Sequence, residues 1–252
     1  MNRTELIDTW LREERQPFIG WDFSYLDGRM TEGQVPWSYL DRAAELMRQS
    51  SSMIDLETGG GEKLLNIREH WPPKVVATED YLPNFELATQ RLSPLGVEIV
   101  KAPVSTIHPM PFADCEFHLV MNRHAAFNSG EVARVLADGG TFLTQQVHGM
   151  SAWDLQAVFG AEPQWPDSTQ EKYVPLLEEA GLIIVNIQEW EGNLSFSDVG
   201  AIVYYLKAVP WLVPGFVVET HLRPLFALQD RLEAGKGLDF YSARYIIEAR
   251  AN

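Results

Sequence analysis

Only one cysteine, Cys115, occurs in 252 residues. No disulfide can therefore join two parts of this chain, and the expected setting is a reducing cytoplasm. No apolar run reaches the roughly 18 residues a membrane-spanning helix needs, and no basic-then-apolar leader opens the sequence. Cationic side chains are scarce: 20 Lys and Arg against 35 Asp and Glu give a net charge of −15 with His neutral. Such a surface repels phosphate backbones, which argues against a nucleic acid partner as well as a membrane one. Internal repeats, low-complexity tracts and a compact Asp/His/Glu group of the kind that holds a divalent metal are also missing. The length suffices for a buried core in one domain with added segments.

The stretch Met53–Glu62 organises what is present. Met53-Ile54-Asp55-Leu56 is a short apolar run broken by one acid, as expected of a buried parallel strand. Thr58-Gly59-Gly60-Gly61 permits a sharp turn with no Cβ in a ligand's way. Glu62–Ile67 then reads as the start of a helix. Strand, glycine turn and helix N-terminus form the nucleotide-binding corner of an open α/β sheet. Lys74–Glu79 is a second strand ending in a carboxylate, placed about twenty residues on, where an acid accepts from both hydroxyls of a ribose.

A dinucleotide corner needs a third glycine for close helix–strand packing, and Leu64 occupies that place. Asp55 would repel a pyrophosphate. A cationic sulfonium ligand with an amino-acid tail fits better. Here the chain resembles the class I S-adenosylmethionine-dependent methyltransferases, whose first motif is Asp-x-Gly-x-Gly-x-Gly: Asp55, Gly59 and Gly61 match, and Glu57 replaces the first glycine. Two further stretches resemble the same family. Met110-Pro111-Phe112-Ala113-Asp114 leads into the strand Phe117–Met121, and Glu131–Gly140 reads as a helix closed by glycine before a strand over Thr141–Val147. The resemblance covers about residues 51–148. It implies a Rossmann-like open seven-stranded, mostly parallel sheet with helices on both faces, an antiparallel edge strand and helical lid segments. It also implies S-adenosylmethionine as cofactor, held by Asp55, Glu57, Gly59, Gly61, Glu79 and Asn122. The acid that family members place after the third strand is absent, so adenine is assigned to Val104 and Ser105.

The remaining chain divides, on this reading, into an aromatic N-terminal lid (1–50), the cofactor-binding core (51–190), a helical lid insertion (191–240) and a final strand (241–252). The insertion reads as a helix capped by Asp198 and a second helix over Pro214–Leu232 bent at Pro224. Methyl transfer from a sulfonium needs alignment and exclusion of water more than acid–base chemistry. A base matters only where the acceptor must lose a proton. His124 and His148, just past the fourth and fifth strands of the core, are the candidate bases. Trp21, Tyr25, Trp37 and Arg123 are the candidate acceptor walls, and the plentiful aromatics favour a small-molecule acceptor. Two other function classes stay open: a non-catalytic S-adenosylmethionine-binding or regulatory protein, and a nicotinamide-dependent oxidoreductase.

Overall fold

The computed structural model describes residues 2–103 and 109–252. Helix α1 (Arg3–Glu14) begins with a capping box: Asn2 Oδ1 accepts from the Glu5 N–H, and the Glu5 carboxylate accepts from the Asn2 N–H. Strand β1 (Met30–Glu32), helix α2 (Tyr39–Met47), β2 (Ser52–Leu56), α3 (Glu62–Leu65), β3 (Lys74–Thr78), α4 (Leu82–Leu92) and β4 (Glu98–Val100) follow. Next come β5 (Phe117–Arg123), α5 (Ser129–Val135), β6 (Leu136–Val147), α6 (Trp153–Val158) and α7 (Gln170–Glu179). The chain closes with β7 (Ile183–Phe196), α8 (Val199–Ala208), α9 (Leu222–Glu233) and β8 (Leu238–Arg250).

Two compact units result. The larger comprises residues 35–147, 168–190 and 244–252. Its sheet runs β4-β3-β2-β5-β6-β8-β7. Every neighbouring pair from β4 to β6 is parallel, and β8 is antiparallel to β6. Adjacent residues on the central strands bury opposite faces, as the pleat dictates. Met53, Leu119, Leu143 and Ile246 pack on one side with Tyr39 and Met47 of α2; Ile54, Val120, Phe142 and Ile247 pack on the other with Val132 and Leu177. Both faces of the sheet are therefore covered, which is why β2 is buried along its whole length. The switch in strand order falls at β2, between β3 and β5, and ligands of open α/β sheets bind beyond the carboxyl ends at such a point.

The smaller unit comprises residues 1–34, 148–167 and 191–243. Its core gathers Trp10, Leu155, Ile202, Leu206, Leu225 and Phe240. Helix α8 is apolar on nearly all sides and correspondingly buried. Asp198 caps it, accepting from the Ala201 N–H at 2.8 Å and also holding Arg29 at 2.7 Å, a guanidinium shared with Glu13 at 2.9 Å. Replacing Asp198 by Ala should cost about 1–2 kcal/mol of stability through the lost cap; a denaturation midpoint identical to that of the parent chain would contradict this.

Several element limits differ from the sequence reading. The sheet gains an eighth strand, β1, which pairs antiparallel with Leu194–Phe196 of β7. Helix α3 is a single turn, and α5 ends at Val135 because β6 starts at Leu136, before the glycines. The helix expected over Pro214–Leu232 begins only at Leu222; Pro224 lies in its first turn, where a missing N–H costs nothing, so it bends nothing. Strand β7 runs on to Phe196, and β8 starts at Leu238. Helix α2 and Trp37, grouped by sequence with the N-terminal lid, fall in the larger unit, and residues 148–167 fall in the smaller. Among the described residues, no helix is long and apolar enough to cross a membrane.

Candidate functional site

Beyond Leu56 the chain turns through Glu57, Gly59 and Gly61 at φ of 57°, 64° and 81°. A Cβ on Gly61 would stand 2.6 Å from Leu92 Cδ1, so both the backbone angle and the packing of α4 require glycine there. The turn is tied to the end of β3: the Thr58 N–H donates to Thr78 O at 2.9 Å and the Glu57 N–H to Thr78 Oγ1 at 3.1 Å. Glu79 completes the corner. It is only 3% exposed, and its two oxygens accept from the Gly59 N–H at 2.8 Å and the Tyr81 N–H at 2.9 Å. A carboxylate offers about four acceptor positions, so acceptor capacity remains after these two bonds.

Carboxyls crowd this corner: Asp55, Glu57 and Glu79, with Asp80 beside the last two. Asp55 accepts from Thr58 Oγ1 at 2.7 Å, and burial pushes it up to about 6 against the pull of that bond and of Arg123. Burial and the nearby Glu79 push Glu57 up to about 7. Burial likewise raises Glu79, against its backbone N–H partners. The Glu57 Oε1 is buried with no hydrogen-bond partner among the described residues. An acid in left-handed backbone, desolvated and beside a second acid, is an expensive arrangement.

Beside the corner lies a shallow, mainly apolar recess lined by Leu56, Thr78, Ala102, Pro103, Phe127 and Val132 among others. The sequence places adenine at Val104 and Ser105, which lie outside the described residues.

At the ends of β5 and β6 the polar side chains are linked to one another. Asn122 is fully buried and its Oδ1 accepts from Thr144 Oγ1 at 3.1 Å and from Gln146 Nε2. Its side chain thus holds strand ends together, while its carbonyl accepts from Tyr39 Oη at 3.2 Å. Trp37 Nε1–H donates to Gln145 Oε1 at 2.8 Å. Indole nitrogen is a donor only, so Gln145 must present its amide nitrogen to His124 Nε2, 2.9 Å away. His124 Nε2 is therefore the acceptor, and the ring proton sits on Nδ1. His124 has φ of 58° and remains exposed to solvent. The protein around it strips part of its hydration, and with Arg123, Arg244 and Lys63 this holds its pKa well below the usual histidine value.

His148 belongs to the smaller unit, where its Nδ1 accepts from the Met150 N–H at 3.1 Å and its backbone N–H donates to Ala243 O. Trp21 and Tyr25 lie there too, 47% and 41% exposed, in an aromatic group with Phe18, Phe23, Tyr204 and Trp211. Within the larger unit, then, the corner residues Asp55, Glu57, Gly59, Gly61 and Glu79 come together. Asn122, Arg123, His124 and Trp37 form a second group next along the strand ends. Sequence reading missed Gln145, Gln146, Thr58 and Tyr39. Two adjacent glutamines in a buried strand were the available signal, because buried amides must find partners.

No family model matches the chain, and no curated protein sequence does. Solved structures do. A candidate methyltransferase from Bacillus halodurans C-125 is 21% identical, with 84% of this chain and 96% of that one covered and a TM-score of 0.58. Geranyl diphosphate methyltransferase in complex with GPP and sinefungin is 14% identical with 99% of each chain covered and a TM-score of 0.53; the same enzyme is also solved in complex with SAM. The [4+2]-cyclase SpnF is 15% identical, with 98% of this chain and 92% of that one covered and a TM-score of 0.51. This chain has the Rossmann-like fold those proteins share.

Proposed function

We propose that this protein is an S-adenosylmethionine-dependent methyltransferase acting on a small-molecule acceptor. The observation that carries the reading is the corner itself: a left-handed glycine turn at the switch-point strand, bonded directly to a buried acid at the end of the next strand. The charge at this corner suits the donor. A pyrophosphate would meet Asp55, Glu57 and Glu79, whereas a cationic methionine-derived ligand offsets them. Glu79 is assigned to the ribose, Gly59 and Gly61 to close approach of backbone, and Asp55 and Glu57 to the cationic end. The apolar recess at Leu56, Ala102, Pro103 and Phe127 is assigned to the adenine end, which would have to widen it on binding.

When bound, the donor supplies an electrophilic methyl group on a sulfonium. The chain's part is to bind, orient and exclude water. His124, neutral and with its Nε2 already engaged, is assigned to orienting the acceptor through Nδ1–H rather than to removing a proton. Isothermal calorimetry tests the reading: S-adenosylmethionine and S-adenosylhomocysteine should each bind at one site per chain, and a nicotinamide dinucleotide should not. Binding of the nicotinamide alone would reject it.

A second reading has a specific observation behind it. Glu57 departs from glycine at the first motif, and one structure of this fold is a cyclase. On that reading the donor site is kept without transfer. Labelled methyl appearing in any acceptor from a metabolite extract would exclude it.

A further inference from the structure

Trp37 stands just before α2, Gln145 near the carboxyl end of β6, and His124 just past β5. The hydrogen bonds that join them have a fixed direction. Indole nitrogen only donates, so the 2.8 Å bond from Trp37 Nε1–H obliges Gln145 to use its amide oxygen there. The amide nitrogen is then left for His124 Nε2 at 2.9 Å. Turned the other way, Gln145 would set two donors against each other in a side chain that is buried. The backbone repeats the tie: the His124 N–H donates to Gln145 O at 2.8 Å, and Arg123 pairs with Gln145 in register. Tyr39 Oη, donating to Asn122 O at 3.2 Å, anchors the Trp37 segment to the same strand end. A doubly protonated ring would turn an Nε2–H onto the amide N–H, so this ring is uncharged with its proton on Nδ1. Desolvation, and after it the charges of Arg123, Arg244 and Lys63, favour the uncharged ring too. Among the described residues nothing accepts from that Nδ1–H, and His124 is exposed. Leu56 pairs with Asn122 in register, so His124 leaves the sheet at the same edge as the glycine turn.

We infer that Trp37 and Gln145 are positioning residues: their two hydrogen bonds hold His124 as a donor at Nδ1, so the methyl acceptor meets the ring with a lone-pair oxygen or nitrogen and not with a proton to be removed. The statement about the methyl acceptor rests on the methyltransferase reading; the state of the ring stands on its own bonds. A carbonyl, a carboxylate or an unprotonated amine satisfies Nδ1–H, an ammonium does not, and an alcohol finds no base here. Which ring nitrogen holds the proton is set by the bond the other one makes. Here that bond is made by an amide that a second, donor-only side chain has already oriented.

The test uses the full chain with ¹⁵N-labelled histidine at about pH 8, above the ordinary histidine pKa. The His124 signals are identified by their loss in His124→Asn. In the parent chain the nitrogen shifts should mark Nδ1 as protonated and Nε2 as bare. A proton on Nε2, alone or shared with Nδ1, overturns the inference. Gln145→Glu accepts from both Trp37 and the ring, so it should move a proton onto Nε2; a ring still protonated at Nδ1 alone overturns the inference. Trp37→Phe frees the amide to turn and should populate both tautomers. Trp71→Phe, which removes a different indole bond in the same unit, to Leu64 O, should change neither nitrogen. If Gln145→Glu fails to fold, the parent and Trp37→Phe spectra decide. The part played in the reaction is read from labelled methyl entering the small molecules of a metabolite extract. Gln145→Glu should lose that transfer about tenfold or more while its affinity for S-adenosylhomocysteine is unchanged. Full transfer with the proton moved overturns the positioning role. A parent chain that binds no S-adenosylhomocysteine rejects the methyltransferase reading instead, and the spectrum still decides the state of the ring.

Discussion

Glu79→Ala should lower the affinity for S-adenosylhomocysteine about 10- to 150-fold, corresponding to about 1.5–3 kcal/mol for hydrogen bonds to a buried carboxylate. The residue is 3% exposed and its position is fixed by backbone N–H groups from both sides of the corner, Gly59 and Tyr81. An acceptor fixed this way needs no reorganisation to meet ribose hydroxyls, and such preorganisation is where the affinity arises. The same bonds mean that the alanine variant also loosens the turn. Thermal unfolding must therefore be measured beside calorimetry, with ligand added to a variant still folded at the working temperature. Unchanged affinity in a folded variant would reject the ribose assignment. A lower melting temperature alone would leave Glu79 a purely structural clamp.

Glu57→Gly should make the protein more stable at pH 8 by about 1–3 kcal/mol, combining release of left-handed strain with removal of a desolvated carboxylate. The pH dependence has a definite sign. Burial and Glu79 raise the folded-state pKa of Glu57 from 4.5 to about 7. Between those values the folded state binds more protons than the unfolded one, so stability falls as pH rises through that window. The penalty is complete above pH 7 and absent below about pH 4.5. The advantage of the variant should therefore grow from pH 5 to pH 8 in chemical denaturation. Asp55, raised to about 6 by burial, leaves a smaller slope of the same direction in both proteins. A pH-independent difference would show that only backbone strain is relieved. If Glu57 also meets the donor's cationic end, the more stable variant should bind S-adenosylmethionine more weakly, a stability gained at the expense of function.

The corner was legible because each of its parts has a local signature. Met53–Leu56 is a short apolar run broken only by Asp55, Gly59–Gly61 permits positive φ, and Glu79 closes the next β-branched run. The sheet order follows from such strands alternating with helices. The eighth strand was not legible: Met30-Thr31-Glu32 is three residues with no period to read, and it exists only because the far end of β7 offers an edge. The extension of β7 through Glu191-Gly192-Asn193 was hidden for the related reason that alternate residues there are solvent-facing. The His124 tautomer depends on Trp37 and Gln145, residues 37 and 145 being brought together only by tertiary structure.

A crystal structure of the full chain grown with S-adenosylhomocysteine tests the central claim most directly. The account predicts the ribose hydroxyls on Glu79, the homocysteine end against Gly59 and Gly61, and adenine in the recess beside Pro103 and Phe127. Nucleoside bound elsewhere, with the backbone at Gly59 untouched by ligand, would contradict it.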